Sequence, residues 1–203
     1  MLAQSGSIPR GSGWSFEPKL DGFRALVSTC DCLLVESRRG WNMTALLPEL
    51  ESLPTGLVLD CELVSLGDDG KPHFPTLCSR MLHGNRRIPV RLFAFDVLAV
   101  AGIPTLAQPY RERRAILEEL DLGRHAEVMG AFDDGVGLFD AVCRHGLEGI
   151  VAKRVDEPYR PGERRWLKVK NPNYWRRESE IESMRRSFER RGRFTSSRST
   201  VTA

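Results

Sequence analysis

The chain has 203 residues, of which 41% are hydrophobic and 28% charged, with a formal net charge of +3. That length can bury one sizeable core, and the composition excludes disordered, collagen-like and transmembrane classes. The longest apolar run, Leu92 to Ala101, is interrupted by Asp96 and is too short to span a bilayer, and Met1 to Gly13 carries no apolar secretion segment. A cytoplasmic setting follows, with the five cysteines as buried free thiols: Cys30 and Cys32 lie too close together for a zinc knuckle, and no second pair follows at metal-ligand spacing.

In chain order, residues 1–13 read as a flexible leader rich in Ser and Gly. Trp14 to Val27 has strand character, with Phe23, Ala25 and Val27 alternating around polar neighbours. Cys32 to Ser37 is a second short apolar run, ended by the turn-like Arg39-Gly40. Thr44 is placed to cap a helix with Pro48 in its first turn and Leu46, Leu47 and Leu50 facing inward. Leu57 to Leu66 is strongly β-prone, carries Asp60 and Glu62, and stops at Gly67-Asp68-Asp69-Gly70. Leu92 to Val100 is another buried strand. Tyr110 to Leu120 has the spacing of an amphipathic helix, with Ile116, Leu117 and Leu120 on its apolar side. Gly137 to His145 reads as a helix closed by Gly146. Gly149 to Arg154 and Trp166 to Val169 read as strands joined through a turn at Tyr159 to Gly162. Residues 176–203 form a basic tail, partly helical over Glu178 to Arg191 and disordered from Thr195. Many strands with few helices predict an α+β fold built on antiparallel sheets.

Chemistry concentrates in Lys19-Leu20-Asp21-Gly22-Phe23-Arg24. A lysine amine is a nucleophile when held neutral and aligned, an arginine can hold the attacked phosphate, and a glycine lets backbone approach a ligand. The alternating Lys168 and Lys170 put two cations on one side of a strand, a geometry suited to a polyphosphate. Arginines and lysines recur from Arg164 to Arg198, a basic stretch fit for a nucleic-acid backbone, although the interleaved Glu178, Glu180, Glu182 and Glu189 suit a solvated helix face as well.

Lys19 to Arg24 matches the K-x-D-G-x-R signature of covalent nucleotidyltransferases, and further blocks follow in that order. They are Ser37-Arg38-Arg39-Gly40, Leu59-Asp60-Cys61-Glu62-Leu63, Leu92 to Leu98, Glu148-Gly149-Ile150-Val151-Ala152-Lys153 and Trp166-Leu167-Lys168-Val169-Lys170. From Trp14 to about Trp175 the chain resembles the adenylation domain of ATP-dependent DNA ligases, and among them the small bacterial repair and end-joining enzymes. Two positions depart from the pattern: Arg39 stands where an asparagine is usual, and Cys61 stands for a glycine and is expected to tighten the backbone.

The resemblance implies a nucleotidyltransferase (ATP-grasp-like) fold with antiparallel sheets flanking an ATP cleft. It implies Lys19 as the residue that becomes AMP-linked, and an ATP site of Glu17, Lys19, Arg24, Arg38, Glu62, Phe95, Lys153, Lys168 and Lys170. Phe95 would stack on the base, and Glu17 would sit at the adenine edge, largely through backbone. Asp60, Glu62 and Glu148 would hold Mg2+ through hard oxygen ligands. Nicked or broken double-stranded DNA would be the partner, together with a separate chain supplying OB-fold or end-joining functions, since the residues after Lys170 are too few for an OB-fold. Two alternatives stand beside this reading: an RNA ligase or other covalent nucleotidyltransferase, and a catalytically degenerate nucleic-acid-binding module.

Overall fold

The computed structural model describes residues 1–174. Among these residues ten strands form two sheets, accompanied by three α-helices. The first has the order β1-β10-β9-β2, from β1 (Leu2–Ser5), β10 (Arg164–Lys170), β9 (Gly149–Arg154) and β2 (Trp14–Lys19). The second has the order β4-β3-β5-β6-β7, from β4 (Leu34–Ser37), β3 (Phe23–Ser28), β5 (Leu57–Val64), β6 (Arg91–Val100) and β7 (Ile103–Pro104), with β8 (Ala126–Val128) also paired to β6. Most pairings are antiparallel, as expected. The exceptions are β1 with β10 and β6 with β8, which run parallel.

Alternation along each strand divides the interior into three clusters. Leu57, Leu59, Cys61 and Leu63 of β5, with Ala25 and Val27 of β3, face the main cluster together with Phe74, Leu77, Cys78 and Met81 of α1 (Phe74–His83). Leu117 of α2 (Tyr110–Glu118) is fully buried in the same cluster. Phe16, Ile150 and Ala152 of the first sheet pack on Val142 of α3 (Gly135–Arg144). Between the two sheets lies the third cluster, built from Met1, Phe95, Leu98, Met129, Tyr159 and Trp166. Among the described residues, Leu26, Ile103, Phe132 and Val136 are the large apolar side chains left exposed.

Several expectations are corrected. The leader is not free: Leu2–Ser5 is a strand, Met1 is buried, and Leu2 N–H donates to the Glu163 carbonyl. The expected helix after Thr44 is two 3-10 turns, Thr44–Leu46 and Pro48–Ser52, because the Thr44 hydroxyl accepts from Val35 N–H rather than capping. Leu47 and Leu50 are nevertheless buried as expected. The helix at Phe74–His83 went unread. Cys30 and Cys32 are exposed, Cys61 and Cys78 are buried, and all five cysteines are free. The expected helix at Glu178 to Arg191, the disordered end and Trp175 lie outside the described residues. No helix among the described residues is long and apolar enough to cross a membrane.

Candidate active site

Lys19 ends β2, and Gly149 opens β9 as its cross-strand partner. Two glycines make this junction possible. A Cβ on Gly22 would fall 2.1 Å from the Leu63 carbonyl oxygen, so the turn after the lysine can press against β5 only without a side chain. Gly149 has φ +153°, and a Cβ there would fall 2.2 Å from the Val169 carbonyl oxygen. Together they bring Lys19 beside Glu148: Lys19 Nζ donates to Glu148 Oε2 at 2.7 Å, with both side chains partly open to solvent.

Alternation then decides which side chains meet. On β10, Leu167 and Val169 pack toward α3 while Trp166 enters the cluster between the sheets, so Lys168 and Lys170 share the Trp166 face. On β5, Leu59, Cys61 and Leu63 turn to the main core, which leaves Asp60 and Glu62 on the opposite face. Cys61, in place of the usual glycine, therefore points its thiol into the core, where burial pushes its pKa up, and it leaves the cleft untouched. Arg24 pairs with Glu62 across the β3–β5 ladder.

Beside the Lys19–Glu148 pair, three further salt bridges occupy this region. Arg24 Nε and Nη2 bind the Asp60 oxygens at 2.8 and 2.5 Å, and the Tyr159 hydroxyl donates to Asp60 Oδ2 at 2.7 Å. Burial pulls the Arg24 pKa down, but Asp60 outweighs it and holds the guanidinium charged; burial, then Asp60, pushes the Tyr159 hydroxyl up. Lys153 Nζ reaches Glu17 Oε1 at 2.8 Å and the Phe95 carbonyl at 2.7 Å, and the Tyr110 hydroxyl donates to Glu17 Oε1 at 2.5 Å. Burial raises the Glu17 pKa, with Lys153 opposing it. Behind Phe95, Arg113 Nε and Nη2 bind Asp96 at 2.7 and 2.9 Å.

The other expected site residues are placed as follows. Asp60 has its oxygens engaged by Arg24 and Tyr159, so its carboxylate orients the guanidinium. Glu17 and Lys153 pair with one another at 4% and 1% side-chain exposure. Arg38 stands exposed in the turn after β4, past the Ala25–Ser37 pair. Phe95 and Trp166 meet edge to face at 5.8 Å between centroids, and Arg24 lies 5.6 Å from the Phe95 centroid.

Sequence reasoning missed Tyr110, Asp96, Arg113 and the hydroxyl of Tyr159. A signal existed for Arg113: it precedes Leu117 by four positions, so it lies on the apolar stripe of a predicted helix, where an unpaired cation is costly.

Glu62 lies near the Lys19-bound Glu148 in this cleft. Burial, then the repulsion of Glu148 and Asp60, pushes the Glu62 carboxyl up to about 7, while Lys19 and Arg24 oppose the shift. Glu62 and Glu148 are hard-oxygen donors near enough to repel one another, a set that suits a magnesium ion. Among the described residues no group of three or more His, Cys, Asp or Glu side chains is gathered closely enough to hold a metal alone.

Comparison with known proteins agrees with this architecture. Residues 1–170 match the family model described as ATP dependent DNA ligase domain. The multifunctional non-homologous end joining protein LigD of Mycobacterium bovis is 37% identical over 184 residues, covering 85% of this chain and 24% of that protein. DNA ligase C1 of Mycolicibacterium smegmatis is 35% identical over 193 residues, covering 84% of this chain and 56% of that protein. The chain thus spans about a quarter of the LigD relatives and just over half of the shorter ligase. The crystal structure of the ligase domain from M. tuberculosis LigD superposes with a TM-score of 0.74 at 35% identity, covering 83% of this chain and 58% of that one. A mycobacterial DNA ligase D complexed with ATP and MES superposes at 0.72 with 34% identity, covering 83% and 58%. With a lysine seated against a glutamate at the mouth of an aromatic cleft, and a family match spanning nearly all its described residues, this chain belongs to the ATP-dependent DNA ligase domain family.

Proposed function

We propose that this chain carries out the adenylation chemistry of a DNA ligase, with Lys19 as its nucleophile. The single observation behind this is the Lys19–Glu148 contact, which aims an amine into the cleft beside Glu62 and next to the strand bearing Lys168 and Lys170. For attack the amine must lose a proton, and Glu148 Oε2 lies at hydrogen-bonding distance to accept it. The Lys19 Nζ–Pα bond then forms, the Pα–O bond to pyrophosphate breaks, and pyrophosphate departs. Lys168 and Lys170 oppose the charge that develops on the α-phosphate oxygens, while Arg24, aligned by Asp60 and Tyr159, faces the ribose-phosphate side. Phe95 supports the adenine base. Glu62 and Glu148 would hold Mg2+, which supplies Lewis-acid polarisation of the phosphates when bound.

AMP would next pass to a DNA 5′-phosphate, and a 3′-hydroxyl would displace it to seal the strand, the partner being nicked or broken duplex DNA. The end-joining function printed for the LigD relatives makes double-strand-break repair the setting we favour, in which further domains or a separate chain supply what this segment does not.

Incubation with α-labelled ATP and magnesium, followed by a denaturing gel, tests the core of the proposal. Wild type should retain label and Lys19→Ala should retain none. An unlabelled wild type, or a labelled Lys19→Ala, refutes the assignment. Nicked DNA and nicked RNA duplexes offered to the labelled protein separate a DNA ligase from an RNA ligase.

A further inference from the structure

β6 leaves its ladder with β5 at two places. Asp60 pairs with Asp96 but Cys61 pairs with Ala94, so Phe95 has no residue opposite it. Val58 pairs with Ala99 but Leu59 pairs with Val97, so Leu98 is bulged in the same way. A bulge changes the phase of alternation and removes the extra residue from the ladder. Accordingly Leu92 and Ala94 face the main core, Val97 returns to it, and Phe95 and Leu98 turn toward the cluster between the sheets. A buried backbone carbonyl taken out of a ladder needs another donor. At Phe95 that donor is Lys153 Nζ, at 2.7 Å.

The ammonium is fully committed there. Its side chain is 1% exposed and also binds Glu17, whose Oε1 accepts the Tyr110 hydroxyl. It lies 4.7 Å from the Phe95 centroid, 4.6 Å from that of Trp166 and 5.0 Å from that of Tyr110. One cation therefore connects β9, β2 and β6 at the residue whose ring enters the cluster between the sheets.

We infer that Lys153 is a positioning residue: by binding the bulged carbonyl of Phe95 and anchoring it to Glu17, it fixes the aromatic platform that receives the base of ATP. The inference rests on Phe95 as that platform. The polar partners of the Lys153 ammonium are Glu17 and the Phe95 carbonyl, whereas Lys19 is bound to Glu148. Its loss should change how well the base is held more than how fast the bond forms.

Lys153→Met alone would strand a buried carboxylate, so the variant to use is Lys153→Met with Glu17→Gln, which removes both charges. Tyr110→Phe is a milder second variant that deletes one donor to Glu17. Single-turnover formation of the lysyl-AMP adduct is measured against ATP and against GTP concentration, on protein that unfolds cooperatively. The double variant should raise the half-saturating ATP concentration by about tenfold, lower the limiting rate by a smaller factor, and narrow the preference for ATP over GTP. Tyr110→Phe should shift the half-saturating ATP concentration the same way, by about two- to threefold. An unchanged ATP dependence in both variants overturns the inference, as does a fall in limiting rate with unchanged half-saturation. Failure of wild type to form the adduct at all would instead overturn the proposed function.

Discussion

Arg113 offers a demanding test of how this site is supported. Its Nε and Nη2 bind the two Asp96 oxygens at 2.7 and 2.9 Å, and its Nη1 donates to the carbonyls of Gln108 and Glu157 at 2.7 and 3.2 Å. The side chains are 1% and 0% exposed. Arg113→Met keeps the apolar stem and deletes these donors. Asp96 is then left with the Val97 N–H at 3.1 Å. Removing one member of a buried pair costs about 3–5 kcal/mol, because the other charge stays in a medium that cannot solvate it. The Gln108 carbonyl loses its donor as well, while the Glu157 carbonyl keeps the Tyr110 N–H, which places the loss toward the upper end, about 5 kcal/mol. Native domains have about 5–15 kcal/mol in total, so the variant should be marginal. Its melting midpoint should fall by about 10–20 °C, at 2–4 °C per kcal/mol for a chain of this size. Urea titration and thermal melts of wild type, Arg113→Met and Arg113→Met with Asp96→Asn measure the effect. The double variant should recover about 2 kcal/mol or more, since it carries no buried charge. A single-variant loss below ~1 kcal/mol, or no recovery in the double, would show that the pair is not what holds α2 and β6 together.

Three further outcomes are expected. Lys170→Ala should slow lysyl-AMP formation far more than it raises the half-saturating ATP concentration, because its charge acts on the developing transition state; equal losses in both quantities would confine it to ground-state binding. Gly22→Ala, with its Cβ directed 2.1 Å from the Leu63 oxygen, should displace the lysine turn and abolish adduct formation, and normal labelling by a folded variant would contradict that close approach. The Glu62 carboxyl is raised to about 7 from 4.5, so the folded state holds its proton more tightly than the unfolded chain. Its contribution to the stability of metal-free protein is therefore present below pH ~4.5 and lost as pH rises through about 7, by up to ~3 kcal/mol. Urea titrations between pH 5 and 8 should show this slope in wild type and a flatter one in Glu62→Gln, and identical slopes would remove Glu62 as its source.

Much of the site was legible because its information is local. Lys19 to Arg24, Glu148 to Lys153 and Trp166 to Lys170 are short runs. Strict two-residue alternation on β10 was enough to place Lys168 and Lys170 on one face. The helix at Phe74–His83 went unread although its signal was local, since Phe74, Leu77, Cys78 and Met81 repeat at helical spacing. The three residues of β8, by contrast, carry no period long enough to recognise.

Tertiary structure decided which charges reach the ligand and which are consumed by one another. Nothing in the order of residues shows that Asp60 spends its oxygens on Arg24 and Tyr159, which is 99 positions away, or that Lys153 turns to Glu17, 136 positions away. Nor does Ser- and Gly-rich composition reveal that residues 2–5 find a parallel edge on β10. The bulges at Phe95 and Leu98 belong to the same class, because they exist only in the register of β6 against β5. The sequence by itself determined the chemistry available and the faces of regular strands, since both are set within a few residues. The partners of buried charges and the points where a ladder slips are fixed by desolvation and hydrogen-bond satisfaction between distant segments, and those forces act only once the chain has closed around them.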